Sequence, residues 1–248
     1  MNESEHIEYL GSGIRLIVSE SHTFGTDALL LADFTSPKRK DIACDFGTGC
    51  GIIPFYWLRE NMGRKIYAVE IQKNGFEILK RSVELNGAGE KIIPLNTDLR
   101  ELKNTDYAGC FDVISMNPPY TPDGAGIKSS SDSAKIARHE TICSLGEICL
   151  TASRLLKFGG RLCMCLRPER LCELMTAMKN AGIEPKRMRL VSQSVGKAPW
   201  LVLLEGKRGR NPGLTVEKEL YIEENGSDSE DMRRIIGSYR ENGDNGLC

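Results

Sequence analysis

The sequence predicts a doubly wound α/β fold, and three observations carry that expectation. Short apolar runs rich in branched residues alternate with helical stretches from residue 41 to residue 181. Two further strand-like segments, 186–193 and 199–205, read as a closing antiparallel pair, which makes the sheet mixed. Four predicted strands end just before glycine-rich or polar residues, after 46, 70, 97 and 116, where sheets of this kind bind ligands.

The elements follow in order. Residues 7–10 and 14–18 flank Gly11-Ser12-Gly13 and read as a small hairpin. Residues 25–35, GTDALLLADFT, read as a helix with Thr26 or Asp27 near its start. Strand 41–46 leads to helix 51–61, strand 65–70 to helix 72–86, and strand 90–96 to a turn at 99–102. Strand 111–116 runs directly into Asn117-Pro118-Pro119-Tyr120. The Gly- and Ser-rich stretch 121–135 cannot support a core, so it reads as a loop: a substrate lid or plain disorder. Helix 139–157, strand 160–166 and helix 168–181 precede the final pair, giving seven strands with helices on both faces. Beyond about 222 the chain turns acidic and Gly/Asn-rich, a loosely attached helix or a flexible tail.

A chain of 248 residues can bury a full core in one large domain. Its net charge of −1 points globally to neither nucleic acid nor membrane, but the charge is uneven. Positions 186–210 carry Lys186, Arg187, Arg189, Lys197, Lys207, Arg208 and Arg210 against Glu205 alone, whereas 217–248 is dominated by acids. The basic stretch either attracts a polyanion or forms an ordinary solvated face. Nine cysteines, several inside apolar runs such as RLCMCL and none in a C-x-x-C pair, suit buried free thiols in a reducing cytoplasm. The three histidines, His6, His22 and His139, lack ligand spacing, so no metal is expected. No signal peptide and no membrane span is expected either.

Chemistry concentrates at the strand ends. Asp45-Phe46-Gly47-Thr48-Gly49-Cys50-Gly51 lets a ligand approach bare backbone, although a structural tight turn also needs such glycines. Glu70 can take both hydroxyls of a ribose, in nicotinamide and S-adenosylmethionine enzymes alike, or cap the next helix. Asp98 can accept from an adenine amine while the Leu99 backbone N–H faces a ring nitrogen, or it can cap the turn at 99–102. Asn117-Pro118-Pro119-Tyr120 decides the reaction. Its prolines remove two N–H donors, and the Asn117 side-chain oxygen and Pro118 carbonyl form an acceptor pair for one NH2 group. Such a pair aims the delocalised lone pair of an amide or aromatic amine, so positioning and charge suffice and no strong base is required. Tyr120 offers a flat face for stacking a planar substrate group. The plain alternative is a rigid proline turn.

DFGTGCG, VEI with Glu70, TDL with Asp98, and NPPY together resemble class I methyltransferases of the N6-adenine and N5-glutamine type. FGTDALLLADF (24–34), RSVELNG (81–87), ARHE (137–140) and GKAPWLVLLEGKRG (196–209) look like the bacterial family that methylates N6 of an adenine beside the anticodon of a valine tRNA. That likeness covers roughly residues 7–222. It implies a Rossmann-like class I methyltransferase fold with a seven-stranded mixed sheet, S-adenosylmethionine as cofactor, tRNA as partner and a cytoplasmic location. It makes 37–222 the catalytic domain, 1–36 an N-terminal hairpin and helix packed on it, and 223–248 an acidic tail. It assigns Asn117, Pro118, Pro119 and Tyr120 to catalysis. Cofactor binding falls to Thr26, Asp27, Asp45, Gly47, Gly49, Gly51, Glu70, Ile71, Asp98, Leu99 and Asn117. RNA-acting members rely on a basic surface, which here leaves Lys128, Lys135, Arg138, Arg167, Lys197 and the 186–210 stretch. His139 either touches substrate or packs a helix N-terminus.

Four functions fit to different degrees. The first is tRNA adenine N6-methylation. Protein glutamine N5-methylation fits the same acceptor pair, but such enzymes carry a helical domain where this chain has a hairpin and a helix. DNA adenine methylation needs a target-recognition region that is not evident. A non-enzymatic RNA-binding module would have no use for paired acceptors facing a cofactor.

Overall fold

The computed structural model describes residues 4–104, 106–118 and 143–239. An antiparallel hairpin, β1 (Glu5–Gly11) and β2 (Ile14–Ser19), comes first, and α1 (Thr26–Thr35) follows. The chain then alternates: β3 (Ile42–Phe46), α2 (Ile52–Arg59), β4 (Lys65–Val69), α3 (Lys73–Leu85), β5 (Ile92–Leu95), β6 (Phe111–Met116), α4 (Leu145–Leu155), β7 (Leu156–Leu166), α5 (Leu171–Asn180), β8 (Ile183–Ser192) and β9 (Leu201–Arg208). The sheet order is β8-β9-β7-β6-β3-β4-β5, with β3 to β7 parallel and β9 antiparallel to both β7 and β8. Two-residue strands, β10 (Thr215–Val216) and β11 (Leu220–Tyr221), extend the expected seven by pairing parallel to β8.

Strand alternation builds the two layers. Ala43, Ile66, Ala68 and Val113 join one core with Leu31 of α1, Phe55 and Trp57 of α2 and Leu79 of α3. Their neighbours Cys44, Phe46, Val69 and Ile114 turn the other way, onto Ile148 of α4 and Leu174 of α5. Trp57 is fully buried, and its Nε1 donates to the Ala32 carbonyl at 3.0 Å, joining α2 to α1. Replacing it with alanine would cost about 3–5 kcal/mol.

Helix boundaries differ from expectation for local reasons. α4 starts at Leu145 rather than 139, because Ser144 and Glu147 form a reciprocal capping box there. The expected residues 139–142 lie outside the described residues, as does the 121–135 loop. β7 begins at Leu156, earlier than 160, and the irregularity is absorbed where its pairing with β6 shifts register between Phe111 and Val113. A single 3-10 turn, Pro168–Arg170, precedes α5.

The acidic C-terminal segment is packed where it is described. Ser229 caps α6 (Glu230–Ile236), whose Met232, Ile235 and Ile236 are buried in the first core. Arg59 at the end of α2 donates to the carbonyls of Leu10, Ile235 and Ile236, at 3.0, 2.7 and 3.0 Å respectively.

The basic stretch is largely spent inside the molecule. Arg187 pairs with buried Glu205 (2.9 Å) and with Glu217 (3.2 Å), and its guanidinium stacks 3.8 Å over Phe34. Arg189 pairs with Asp231 at 2.5 Å, Arg208 donates to the Leu156 carbonyl, and Arg210 covers Phe158. Several opposite charges of 186–210 and 217–231 are therefore complementary parts of one fold, while Lys197 stays exposed. Burial pushes the Glu205 carboxyl up, but the charges of Arg161 and Arg187 outweigh it and hold the group below the usual range. The eight described cysteines are free, and Cys44, Cys50, Cys149, Cys163 and Cys165 are buried, as their apolar settings predict. Among the described residues no helix is long and apolar enough to cross a membrane. No group of three or more metal-ligating side chains occurs among them.

Candidate active site

β3 carries Asp45 and Phe46 to the carboxyl edge of the sheet, and the chain turns through Gly47, Gly49 and Gly51 with φ of +64°, +56° and +97°. Side chains resist this left-handed backbone. At Gly51 a Cβ would also lie 2.6 Å from Leu79 Cδ1, so close packing of α2 on α3 demands glycine. At Gly49 a Cβ would meet nothing within 4 Å, so here the missing side chain keeps a bare, open backbone face. The Thr48 N–H donates to the Val69 carbonyl (3.0 Å), stitching the loop onto β4.

Beside this loop lies a cleft of about 280 Å³. Its wall includes Asp27, Asp45, Gly47, Gly49, Asn117 and Pro118, six residues selected from sequence and drawn from three separate segments. Phe24 and Gly25, the first two residues of the FGTDALLLADF motif, line it as well, and Thr23 just before them is the residue of this wall that lies outside the motif. Thr26, Gly51, Glu70, Ile71, Asp98 and Leu99 are not part of the wall.

Asp45 is 1% exposed. Burial pushes its pKa up to about 7; the hydrogen bond from Ser115 and the nearby Thr48 hydroxyl work against the rise, and the Glu70 charge adds to it. The Ser115 hydroxyl, itself buried on β6, donates to Asp45 Oδ1 at 2.5 Å. Glu70 is also buried. One of its carboxylate oxygens accepts from the Gly49 N–H (2.8 Å) and the other from the Gln72 N–H (2.7 Å), so it ties the glycine loop to the start of α3. The bond to Gln72, the residue just before α3, is a helix-end contact, and each oxygen keeps a further lone pair.

Asp98 takes its capping role. Its carboxylate accepts from the Arg100 backbone N–H at 2.8 Å and is gripped by the Arg100 guanidinium at 2.6 Å, at the start of the 3-10 turn Leu99–Asn104. Leu99 is buried in the second core, and Ile71 stands exposed at the sheet edge.

Asn117 connects three elements. Its Nδ2 donates to Asp27 Oδ2 at 3.0 Å, and its Oδ1 accepts from the Cys165 thiol at 3.1 Å. Pro118 beside it is buried. Pro119 and Tyr120 lie outside the described residues, as do Lys128, Lys135, Arg138 and His139. Exposed Lys197 sits in the β8–β9 connection, on the same sheet edge as the cleft because β8 runs parallel to β7 through β9. Arg167 follows β7 on that edge, its guanidinium 5.6 Å from the Trp200 ring. By its apolar run alone, Cys165 is no more than a buried thiol. The signal that singles it out is register: Met116 pairs with Met164, so the next residues on these parallel strands are Asn117 and Cys165.

Residues 35–125 match the TRM5/TYW2 methyltransferase domain family. The tRNA1(Val) (adenine(37)-N6)-methyltransferase of Tolumonas auensis is 29% identical over 201 residues, 81% of this chain and 81% of the relative. Its namesake from Phocaeicola vulgatus is 25% identical, spanning 81% of this chain and 86% of the relative. Among solved structures, a predicted O-methyltransferase of Agrobacterium tumefaciens superposes with a TM-score of 0.67 at 20% identity, covering 86% of this chain and 97% of that one. Pyrococcus horikoshii TYW2 gives 0.57 at 14% identity, over 84% and 73%. The fold is that of the class I methyltransferases.

Proposed function

We infer that this chain is an S-adenosylmethionine-dependent methyltransferase acting on the exocyclic N6 of an adenine in tRNA. The observation that carries the reading is Asn117 and Pro118 in the wall of one cleft with Asp45 and the bare Gly47–Gly49 backbone. The donor set fits the cofactor: an open glycine face admits a nucleoside-sized ligand, and two carboxylates, Asp27 and Asp45, suit its cationic end. Asp45, Gly47, Gly49, Thr26 and Asp27 would hold that end. Gly51 shapes the loop, Glu70 would take the ribose, and Ile71, Asp98 and Leu99 would flank the adenine. When bound, S-adenosylmethionine supplies an electrophilic methyl on a sulfonium.

The chain's own residues then have a positioning task. The Asn117 Oδ1 and the Pro118 carbonyl accept the two hydrogens of the substrate amine, which draws its nitrogen toward pyramidal geometry and turns the lone pair into the cleft. No strong base is required before transfer. In sequence, Pro119 and Tyr120 complete the motif, with Tyr120 stacking the substrate ring. The tRNA assignment draws on the relatives named above, which bear that activity in their names at 25–29% identity over most of the chain. Lys197 and Arg167, on the same sheet edge as the cleft, are with Lys128, Arg138 and His139 the groups proposed to meet RNA. A tRNA substrate sets the enzyme in the cytoplasm.

The test is incubation with labelled S-adenosylmethionine and either tRNA lacking the modification or purified release factor. Label is expected in tRNA at adenine N6; label in release factor instead overturns the substrate. Asn117→Ala is expected to lower kcat on the order of 10²-fold while calorimetry shows cofactor affinity retained.

A further inference from the structure

Asparagine is an ambiguous catalytic group. Its amide rotates about a broad, nearly two-fold torsion, so either the oxygen or the NH2 can face a cleft. Only the oxygen can accept from a substrate amine. Something must therefore fix which end of Asn117 points where.

Two buried or half-buried side chains bracket it. Asp27 offers only acceptors while ionised, so the atom 3.0 Å from its Oδ2 must be the nitrogen. Its other oxygen accepts from the Ala28 N–H at 2.9 Å, which pins the carboxylate to the first turn of α1. On the opposite side the Cys165 thiol, fully buried, lies 3.1 Å from Oδ1 and can donate. A flipped amide would set its oxygen against a carboxylate oxygen, trading a bond for a repulsion, and would leave its NH2 only the weakly accepting sulfur of Cys165. A carbonyl oxygen has two lone pairs, so the Cys165 contact leaves one for a ligand.

We propose that Asp27 and Cys165 are positioning residues that lock the Asn117 amide with its oxygen available to the substrate nitrogen. The proposal rests on the methyltransferase reading for its consequence in turnover, though the lock itself belongs to the protein alone. Asp27 then serves the acceptor as well as the cofactor end of the cleft. Neither residue touches the reacting atoms through this role.

The experiment has two readouts on the full chain. In 15N-labelled enzyme without substrate, the Asn117 side-chain amide resonances are assigned by their loss in Asn117→Ser. Cys165→Ala is expected to shift or broaden them, and Cys165→Ser, which keeps a donor, to return them toward the wild-type position. In the methylation assay Cys165→Ala should lose about ten-fold in kcat, the worth of one such hydrogen bond, with the KM for S-adenosylmethionine held within about two-fold. Cys165→Ser should recover most of that loss. Cys165→Val, which fills the space without a donor, should behave as Cys165→Ala. Resonances and turnover unmoved in Cys165→Ala overturn the proposal, and so does Cys165→Ser falling as far as Cys165→Ala. If wild type labels no tRNA while the resonances respond as expected, the lock stands and the assigned reaction falls.

Discussion

Between pH 6 and pH 7.5, S-adenosylmethionine is predicted to bind about eight-fold more tightly. The cause is Asp45, whose buried carboxyl has a pKa of about 7 in the free protein. A cationic ligand is held by the ionised form, so its apparent affinity scales with the ionised fraction. That fraction is about a tenth at pH 6 and about three quarters at pH 7.5, hence the factor. The same shift carries a stability signature of opposite sense. The unfolded chain gives up this proton near its ordinary value of 3.8, whereas the folded chain keeps it to about 7. The group's contribution to stability therefore falls as pH rises across that window. Calorimetry across the range, with the thermal midpoint of the free protein in parallel, reads both. Asp45→Asn should bind more weakly at pH 7.5 and lose the dependence; 5′-methylthioadenosine, which lacks the cationic end, should bind wild type with little pH response. Flat S-adenosylmethionine affinity in wild type would refute the role given to Asp45.

Other perturbations test separate parts of the site. Glu70→Ala removes the acceptor of two backbone N–H groups and the proposed ribose ligand, so cofactor affinity by calorimetry should drop by about ten-fold or more. Equal affinity counts against that assignment. Gly51→Ala forces a methyl into left-handed backbone against Leu79, at a cost of about 2–3 kcal/mol, which lowers the thermal midpoint by about 5–10 °C. Glu205→Gln strips the buried partner from Arg161 and Arg187, and urea unfolding at pH 7 should show a loss of about 3 kcal/mol. Because the Glu205 carboxyl is held low, its contribution is present above the ordinary glutamate range and disappears as pH falls through the folded value. The deficit of Glu205→Gln should therefore shrink in acid.

How much of this was legible in the chain differs by element. The parallel strands β3, β4 and β6 are buried on both faces, so their apolar runs and polar ends announced themselves, and with them Asp45, Gly47, Gly49 and Asn117. Asp98 was ambiguous because its decisive partner, Arg100, lies two residues away, and local sequence does not tell a free carboxylate from a paired one. The packing of α6 was hidden by composition. Its polar residues outnumber the three apolar ones that are buried, and Arg189, which anchors Asp231, is distant in sequence. Cys165 was invisible for a similar reason: its partner is set by strand register, which composition does not encode.

The Arg59 guanidinium grips Leu10 near the beginning of the chain and Ile235 and Ile236 near its end. It stands on the helix that the glycine loop opens, so the β1–β2 hairpin, the end of α6 and the ligand-facing loop share one mechanical anchor. Ligand that stiffens the loop should therefore slow amide hydrogen exchange in the hairpin and in α6 at once, far from any contact of their own.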